Sequence, residues 1–520
     1  MSLIKNVGTI GGLTMVSRVF GFVRDMLLSR LLGAGTGADA FFVAFKLPNI
    51  FRRLFAEGAF SAAFVPMFSK AYHGEGGREA ALTFSRQVLS VFLPILFVFT
   101  ALAEIFMPWI VYAMANEYQD VPGKFGLTVD LTRITFVYLL LISLVSLLAG
   151  ILNSLSKFAA AAAAPILLNI CLITAVLIFG STEPDPEFVT ARALAVAVSI
   201  AGVLQFLWLL WAVHRAGIDL RVSRPRLTPQ VKRLLTIILP ATFGAGIYQI
   251  SQFVDIFFAT RLEEGAMSFL NYADRLNQLP LGVIGIALGT AILPALSRLI
   301  GRDDQEGAKR LMGTALELSM LLTIPAAVAL FICAEPLVAG IFMGGRFTAE
   351  DAAMTASVMA ALSAGLPAYV LIKVFTPGYY ARDDTKTPVY TALAALVANI
   401  VLILLLIERL EVVALPAAAA SAAWLNCVLL YIGLHRSDRF RLPTVVAGRV
   451  VKQIAAAALM GALLWWLRGL LDGNFAAGIL TRMWSIAALV GGGMALYFGT
   501  LFVIGGFDKA QLAKFKRPAA

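Results

Sequence analysis

Runs of mostly apolar residues, each long enough to cross a bilayer as a helix, recur from one end of the chain to the other. They predict an all-α, polytopic membrane protein of about fourteen spans, near 4–32, 40–69, 84–115, 127–154, 159–181, 189–213, 233–261, 266–297, 310–343, 352–381, 388–408, 411–434, 446–471 and 477–504. No Ser/Pro-rich linker or charged block is long enough to separate soluble modules. The start, Met1 to Asn6, runs into the first span with no small-residue cleavage site, so an uncleaved first helix is expected.

The polar stretches between these runs alternate in charge. One set is basic: Lys70, Arg78 and Arg86, then Arg215, Arg221, Arg224, Arg226, Lys232 and Arg233, with further groups at 298–310, 436–441 and 509–517. The other set is poor in Lys/Arg and often acidic, with Glu117, Asp120, Glu183, Asp185, Glu187, Glu263, Glu264, Glu350 and Asp351. About 26 of the 42 Lys/Arg fall on one side. The positive-inside rule then predicts an even number of spans with both termini in the cytoplasm.

An internal duplication organises the spans. Segment 37–70 aligns without a gap to 265–298, pairing Gly37 with Gly265, Phe41 with Phe269, Asn49 with Asn277 and Pro66 with Pro294. The same offset pairs Pro108 with Pro336 and Gly150 with Gly378, and a near-equal one pairs Asn169 with Asn399. Six spans per repeat predict two lobes, 1–220 and 221–440, related by an axis along the membrane normal. The remainder, 441–520, would add two helices and a basic cytoplasmic tail.

Composition agrees: 60% of residues are apolar and 14% charged, too few polar groups to cover a soluble protein of this length. The net charge of +11 would suit nucleic acid in a soluble protein, but here it is the imprint of topology, and no nucleic-acid partner is expected. Cys171, Cys333 and Cys427 each sit alone in an apolar run, so neither a disulfide framework nor a thiolate metal site is expected.

Charges inside the spans carry the chemistry. In the first span Thr14, Ser17, Arg18, Gly21, Arg24 and Asp25 fall within one arc of about 120° on a helical wheel. The second adds Lys46, Asn49, Arg52, Arg53 and Glu57; the eighth adds Asn271, Asp274, Arg275 and Gln278 as a single stripe; Lys373 lies in the tenth. Long side chains near span ends can snorkel, a reading that suits Lys46 and Lys373 better than Arg18, Arg52 and Arg275. An arginine at a helix centre costs roughly 2.5–3.5 kcal/mol if it faces lipid, so these groups should face water, counter-charges or an anionic ligand. The planar guanidinium fork matches phosphate oxygens in pairs, which points to an amphipathic anion with a pyrophosphate. Asp255, a lone carboxylate in the seventh span, is either a partner for a nearby cation or, with Asn399, a monovalent-cation site.

At these residues the chain resembles the MurJ (MviN) family of lipid II flippases, within the MOP exporter superfamily. The resemblance rests on Ser17 to Asp25, on Asp39 to Asn49 running into Arg52 to Phe60, on Tyr272 to Leu276, on Gly285 to Pro294, and on Lys373 with Pro377 to Arg382. It covers nearly the whole chain with no departure at the arginines. It implies movement of lipid II, the undecaprenyl-pyrophosphate-linked disaccharide-pentapeptide, from the cytoplasmic to the periplasmic leaflet of the inner membrane by alternating access, an activity essential for peptidoglycan synthesis. The implied substrate-binding residues are Arg18, Arg24, Arg52 and Arg275, supported at the cavity and its gate by Ser17, Asp25, Asp39, Arg53, Glu57 and Asp274. The last two spans would hold the prenyl tail. No cofactor is implied beyond coupling to membrane potential or a monovalent cation; membrane lipids are expected partners, and cell-wall synthesis machinery is a candidate one.

Two other transporter readings stay open: a flippase for another undecaprenyl-pyrophosphate-linked oligosaccharide, and a MATE-like antiporter, whose cation site would favour carboxylates over arginine. A membrane enzyme fits poorly. His73, His214 and His435 lie in or beside connections, without a compact acidic metal motif or a Gly-rich phosphate loop.

Overall fold

The computed structural model describes residues 3–53, 59–181, 186–476 and 478–506; among these the regular structure is helical, without a strand. Nine stretches among the described residues are long and apolar enough to cross a membrane. The polar-striped helices that begin at residues 3, 36 and 266 are not among the nine.

The chain divides into two compact units, residues 1–268 with 344–347, and residues 269–343 with 348–520. This division by contact falls at Ser268, whereas the repeat places its boundary near 220.

The first unit holds α1 (Leu3–Leu32), α2 (Thr36–Arg52), α3 (Ala59–His73), α4 (Gly77–Ala115), α5 (Lys124–Ser154), α6 (Phe158–Phe179), α7 (Pro186–Arg215) and α8 (Pro229–Ala259). Helix α5 is its axis, packed on α2, α4 and α7. Buried Thr135 donates from Oγ1 to the Ala44 carbonyl at 2.8 Å, tying α5 to α2. A stack of rings joins α3 to α4, with Phe60 and Phe92 centred 5.0 Å apart and Phe64 and Phe84 5.5 Å apart. Gly150 lets α5 approach this stack, since a Cβ there would lie 3.1 Å from the Phe64 ring. The basic stretch after α7 runs extended along the start of α4: Arg86 donates to the Asp219 carbonyl at 2.8 and 3.1 Å, and Thr228, the N-cap of α8, donates to Gln87.

The second unit holds most of α9 (Ala266–Gly301), then α10 (Gln305–Ile332), α11 (Ala334–Phe342), α12 (Ala349–Ala364), α13 (Leu366–Tyr380), α14 (Lys386–Leu410), α15 (Ala414–Arg436), α16 (Thr444–Leu471) and α17 (Ile479–Ile504). Two expected spans are each divided into two helices, although Ala349–Tyr380 remains one stretch long and apolar enough to cross a membrane. The run 310–343 divides at Cys333 into α10 and α11, and the run 352–381 divides at Gly365 into α12 and α13. At Gly365 an added Cβ would lie 3.0 Å from the Ala420 backbone, so α12 and α15 meet there only around a glycine.

The last two helices belong to this unit and are held by charges. Arg449 of α16 donates from one Nη to both oxygens of Glu317 on α10, at 2.9 and 3.1 Å, and Glu317 is 2% exposed. Toward the other end of α16, Arg468 pairs with Glu335 of α11. Tyr497 of α17 donates to the Leu321 carbonyl at 2.8 Å.

A surface pair staples α14 to the end of α15. Asp384 accepts Arg439 at 2.8 Å and both the backbone N–H and the hydroxyl of Thr387 at 3.1 Å. Burial opposes its charge, but the bonds from Arg439 and Thr387 outweigh it and hold the carboxyl below its usual value of 3.8. A carboxylate depressed in the folded state contributes stability above its unfolded pKa and loses it as pH falls through the folded one. The thermal midpoint of purified protein should therefore fall more steeply below about pH 4 in the parent than in Asp384→Asn, and equal slopes would refute the assignment.

Candidate functional site

The charged stripe of α1 divides in two. Its deeper part faces α6, where Arg24 is 6% and Asp25 2% exposed. Arg24 directs Nε and one Nη to Asp25 at 2.9 and 2.7 Å, and the other Nη to Asn169 Oδ1 at 2.9 Å. Asn169 Nδ2 in turn donates to the Ser17 carbonyl at 3.1 Å, closing a loop between the two helices. Gly21 leaves room for that amide, with a would-be Cβ 3.7 Å away. Arg24 is thus neutralised and enclosed rather than open to a cavity. Arg18 is half-buried, with no charged partner among the described residues.

In α2, Arg52 is half-buried and donates from Nε to Asn49 at 3.2 Å; Asn49 is fixed by its own bond to the Phe45 carbonyl at 2.7 Å. Both line a cavity of about 340 Å³ within the first unit, whose other polar walls include Tyr138, Ser146, Asn153 and Gln205. Tyr138 donates to Gln205 at 3.2 Å and Gln205 to the Ala164 carbonyl at 2.9 Å, so the far wall is pre-oriented. Arg53 is exposed, and Glu57 lies outside the described residues.

Asp39 is a buried carboxylate with four donors. It is 1% exposed and accepts Lys124 Nζ at 3.1 Å, Gly265 N–H at 2.9 Å, and both the N–H and hydroxyl of Ser268 at 3.1 and 2.8 Å. It therefore caps the start of α9 with a negative charge where the helix dipole is positive. Around it Thr36 donates to Glu264 and the Gly37 N–H to Glu187, and the Lys124 ammonium sits 4.3 Å from the centre of the Tyr118 ring. The start of α2 and the start of α9, which the repeat pairs at Gly37 and Gly265, are latched by one carboxylate.

In the second unit α9 carries Asp274, which accepts Gln278, and the half-buried Arg275. Asn271 Nδ2 and Asn277 Oδ1 on the same helix are buried without a described hydrogen-bond partner, as is Asn399 Oδ1 on α14. Asp255, on α8, belongs to the first unit, and Asn399 to the second. Lys373 is half-buried on α13. Sequence reasoning missed Asn169, Lys124, Tyr138, Gln205 and Ser268 as site residues; only Asn169 carried a signal, through its repeat partner Asn399.

Residues 28–485 match the family model described as lipid II flippase MurJ. A probable lipid II flippase MurJ of Rhizobium meliloti (strain 1021) is 41% identical over 99% of this chain and 96% of its own length. The lipid II flippase MurJ of Burkholderia cenocepacia (strain J2315) is 36% identical over the whole of both chains. Among solved structures, one of lipid II flippase MurJ in an inward closed conformation superposes with a TM-score of 0.76 at 22% identity, covering 95% of this chain and 98% of that one. An inward-facing MATE transporter of the MOP superfamily reaches 0.63 at 16% identity, covering 85% and 98%. The fold is that of these transporters, and the chain belongs to the MurJ family of lipid II flippases.

Proposed function

We propose that this protein flips lipid II from the cytoplasmic to the periplasmic leaflet of the inner membrane, the pyrophosphate being held by Arg18, Arg24, Arg52 and Arg275. Ser17, Asp25, Arg53, Glu57 and Asp274 support these arginines, and Asp39 works as a gate latch. The observation that carries this reading is the α1 stripe, where the half-buried Arg18 stands less than two turns from the enclosed Arg24–Asp25–Asn169 network. One arginine is available to an anion, and a second is stored with a counter-charge from which an anion can draw it. The family supports the substrate; a cation antiporter would place carboxylates where this chain has arginines.

The fold carrying this activity has fourteen spans in two six-helix lobes, 1–220 and 221–440, with 441–520 as an addition that takes the prenyl tail. Both termini are cytoplasmic, as the basic connections require. Cell-wall synthesis machinery is a partner that receives the flipped lipid.

The driving force is the membrane potential. A pyrophosphate carries about two negative charges, and each is worth roughly 2.3 kcal/mol per 100 mV moved outward across the full field. The competing driving force is a monovalent cation coupled at Asp255, whose other reading is a partner for a nearby basic group. In vesicles of purified protein, collapse of the potential should stop translocation of labelled lipid II, and Asp255→Asn should slow it only in part. Full activity in de-energised vesicles under a sodium gradient would reverse that order. Transport of a different undecaprenyl-pyrophosphate oligosaccharide in preference to lipid II would replace the substrate.

A further inference from the structure

Helix α5 carries a second charged stripe, on the face opposite to anything in the site above. Asp130, Arg133 and Val137 are all exposed, at the spacing of one helical face. The flanks of this stripe are lipid-facing: on α4, Leu102, Ile105 and Trp109 are 50, 67 and 72% exposed, and on α7, Val196 and Ile200 are 44 and 50% exposed. Each flank adds a charge. Arg192 of α7 pairs with Asp130 at 3.8 Å, and Glu104 of α4 feels the charge of Arg133. One carboxylate oxygen of Glu104 is buried without a hydrogen-bond partner among the described residues.

The depth of these groups makes them costly. The connection 116–123 marks one end of both α4 and α5. At 1.5 Å per residue Asp130 and Arg192 lie about 9 Å from that end, Arg133 about 13 Å and Glu104 about 16 Å. With a hydrocarbon layer of about 30 Å centred on a helix about 46 Å long, Arg133 and Glu104 sit roughly 5–8 Å inside it. Charges facing lipid at such depth are rare and mark contacts with other polar groups. Asp130 and Arg192 neutralise each other near the interface, but among the described residues one Glu104 oxygen has no hydrogen-bond donor and no hydrogen bond from Arg133 is seen.

We propose that the α4–α5–α7 face of the first unit is a docking site for a transmembrane helix of another membrane protein, one that presents a hydrogen-bond donor to Glu104 and an acceptor to Arg133. The packing suits a helix: α5 is the most buried of the three and packs on both α4 and α7. A second copy of this chain fits poorly. A two-fold axis along the membrane normal, passing through this face, would set Asp130 against Asp130 and Arg133 against Arg133.

A photoreactive benzoylphenylalanine at Val137, one turn from Arg133, tests this in cells, with the same residue at Leu404 on α14 as the control. Irradiation should give a discrete adduct whose partner peptide is a transmembrane helix with polar groups in the half near the 116–123 end. Its yield should fall about tenfold in Glu104→Leu/Arg133→Leu, the scale of an interhelical polar contact of 1–2 kcal/mol, and persist in Glu104→Asp/Arg133→Lys. Arg133→Gln, which leaves half-buried Glu104 in place, should lower the yield too and covers a folding failure of the double variant. Adducts to lipid alone, adducts of dimer mass alone, no adduct above control, or a yield indifferent to these substitutions would each overturn the proposal.

Discussion

Arg18→Ala is expected to slow lipid II flipping roughly ten- to a hundredfold while leaving the protein fully inserted and as heat-stable as the parent, whereas Arg24→Ala should lose both transport and stability. The two arginines sit on the same stripe of α1 but in different surroundings. Arg18 is half-buried and bonds to no charged group among the described residues, so its removal takes nothing from the fold. Arg24 is enclosed with Asp25, itself 2% exposed, and its loss strands a buried carboxylate. Breaking a buried pair from one side costs about 3–5 kcal/mol. Arg24→Ala/Asp25→Asn removes that penalty and should restore the thermal midpoint but not transport. Losing a charge-assisted contact worth about 1.5–3 kcal/mol should slow flipping by roughly ten- to a hundredfold in the double variant and in Arg18→Ala. Arg52→Ala and Arg275→Ala should slow flipping to a similar degree, and lysine should rescue poorly at all four, since an ammonium cannot bridge two phosphate oxygens. Translocation in vesicles and thermal unfolding of the same preparations decide this; near-parental flipping by Arg18→Ala would remove the arginine site from the mechanism.

What could be read along the chain was periodicity. The helical wheel put Ser17, Arg18, Arg24 and Asp25 on one face because one residue in 3.6 returns to it, and the fold keeps that face. Depth and partners were not periodic. Arg24 is enclosed because a single amide, Asn169, stands opposite it in a run of Ala, Ile and Leu, where one polar residue changes no average. The breaks at Cys333 and Gly365 escaped for the same reason, since neither residue lowers hydropathy enough to end a span. The ligands of Asp39 were harder still. Two of its four donors are backbone N–H groups, which every residue but proline has, and they lie 226 and 229 residues away. Nothing in the sequence around Lys124 marks it as the partner of a carboxylate 85 residues away.

Lys124→Met is expected to open the Asp39 latch. The ammonium and the carboxylate are both almost fully buried, at 4 and 2% side-chain exposure, so the pair is shielded from salt and solvent. Without Lys124, Asp39 keeps its three bonds from Gly265 and Ser268 but holds its charge in an enclosed site with no counter-ion. The penalty of about 3–5 kcal/mol is relieved if water reaches the carboxylate, which means separating the start of α9 from the start of α2. If half of it appears in that equilibrium, the open population rises roughly ten- to sixtyfold. Ala38, fully buried beside Asp39, is a suitable reporter once Cys171, Cys333 and Cys427 are replaced by alanine. A cysteine at Ala38 should react with a membrane-impermeant maleimide at least tenfold faster with Lys124→Met than without it. Asp39→Asn/Lys124→Met removes the stranded charge, so it should recover most of the lost thermal stability. It leaves α9 capped by a neutral amide, so labelling should stay above the parent and flipping should stay impaired. Unchanged labelling in Lys124→Met would show that the capping bonds from Gly265 and Ser268 hold the two helices together without the ion pair.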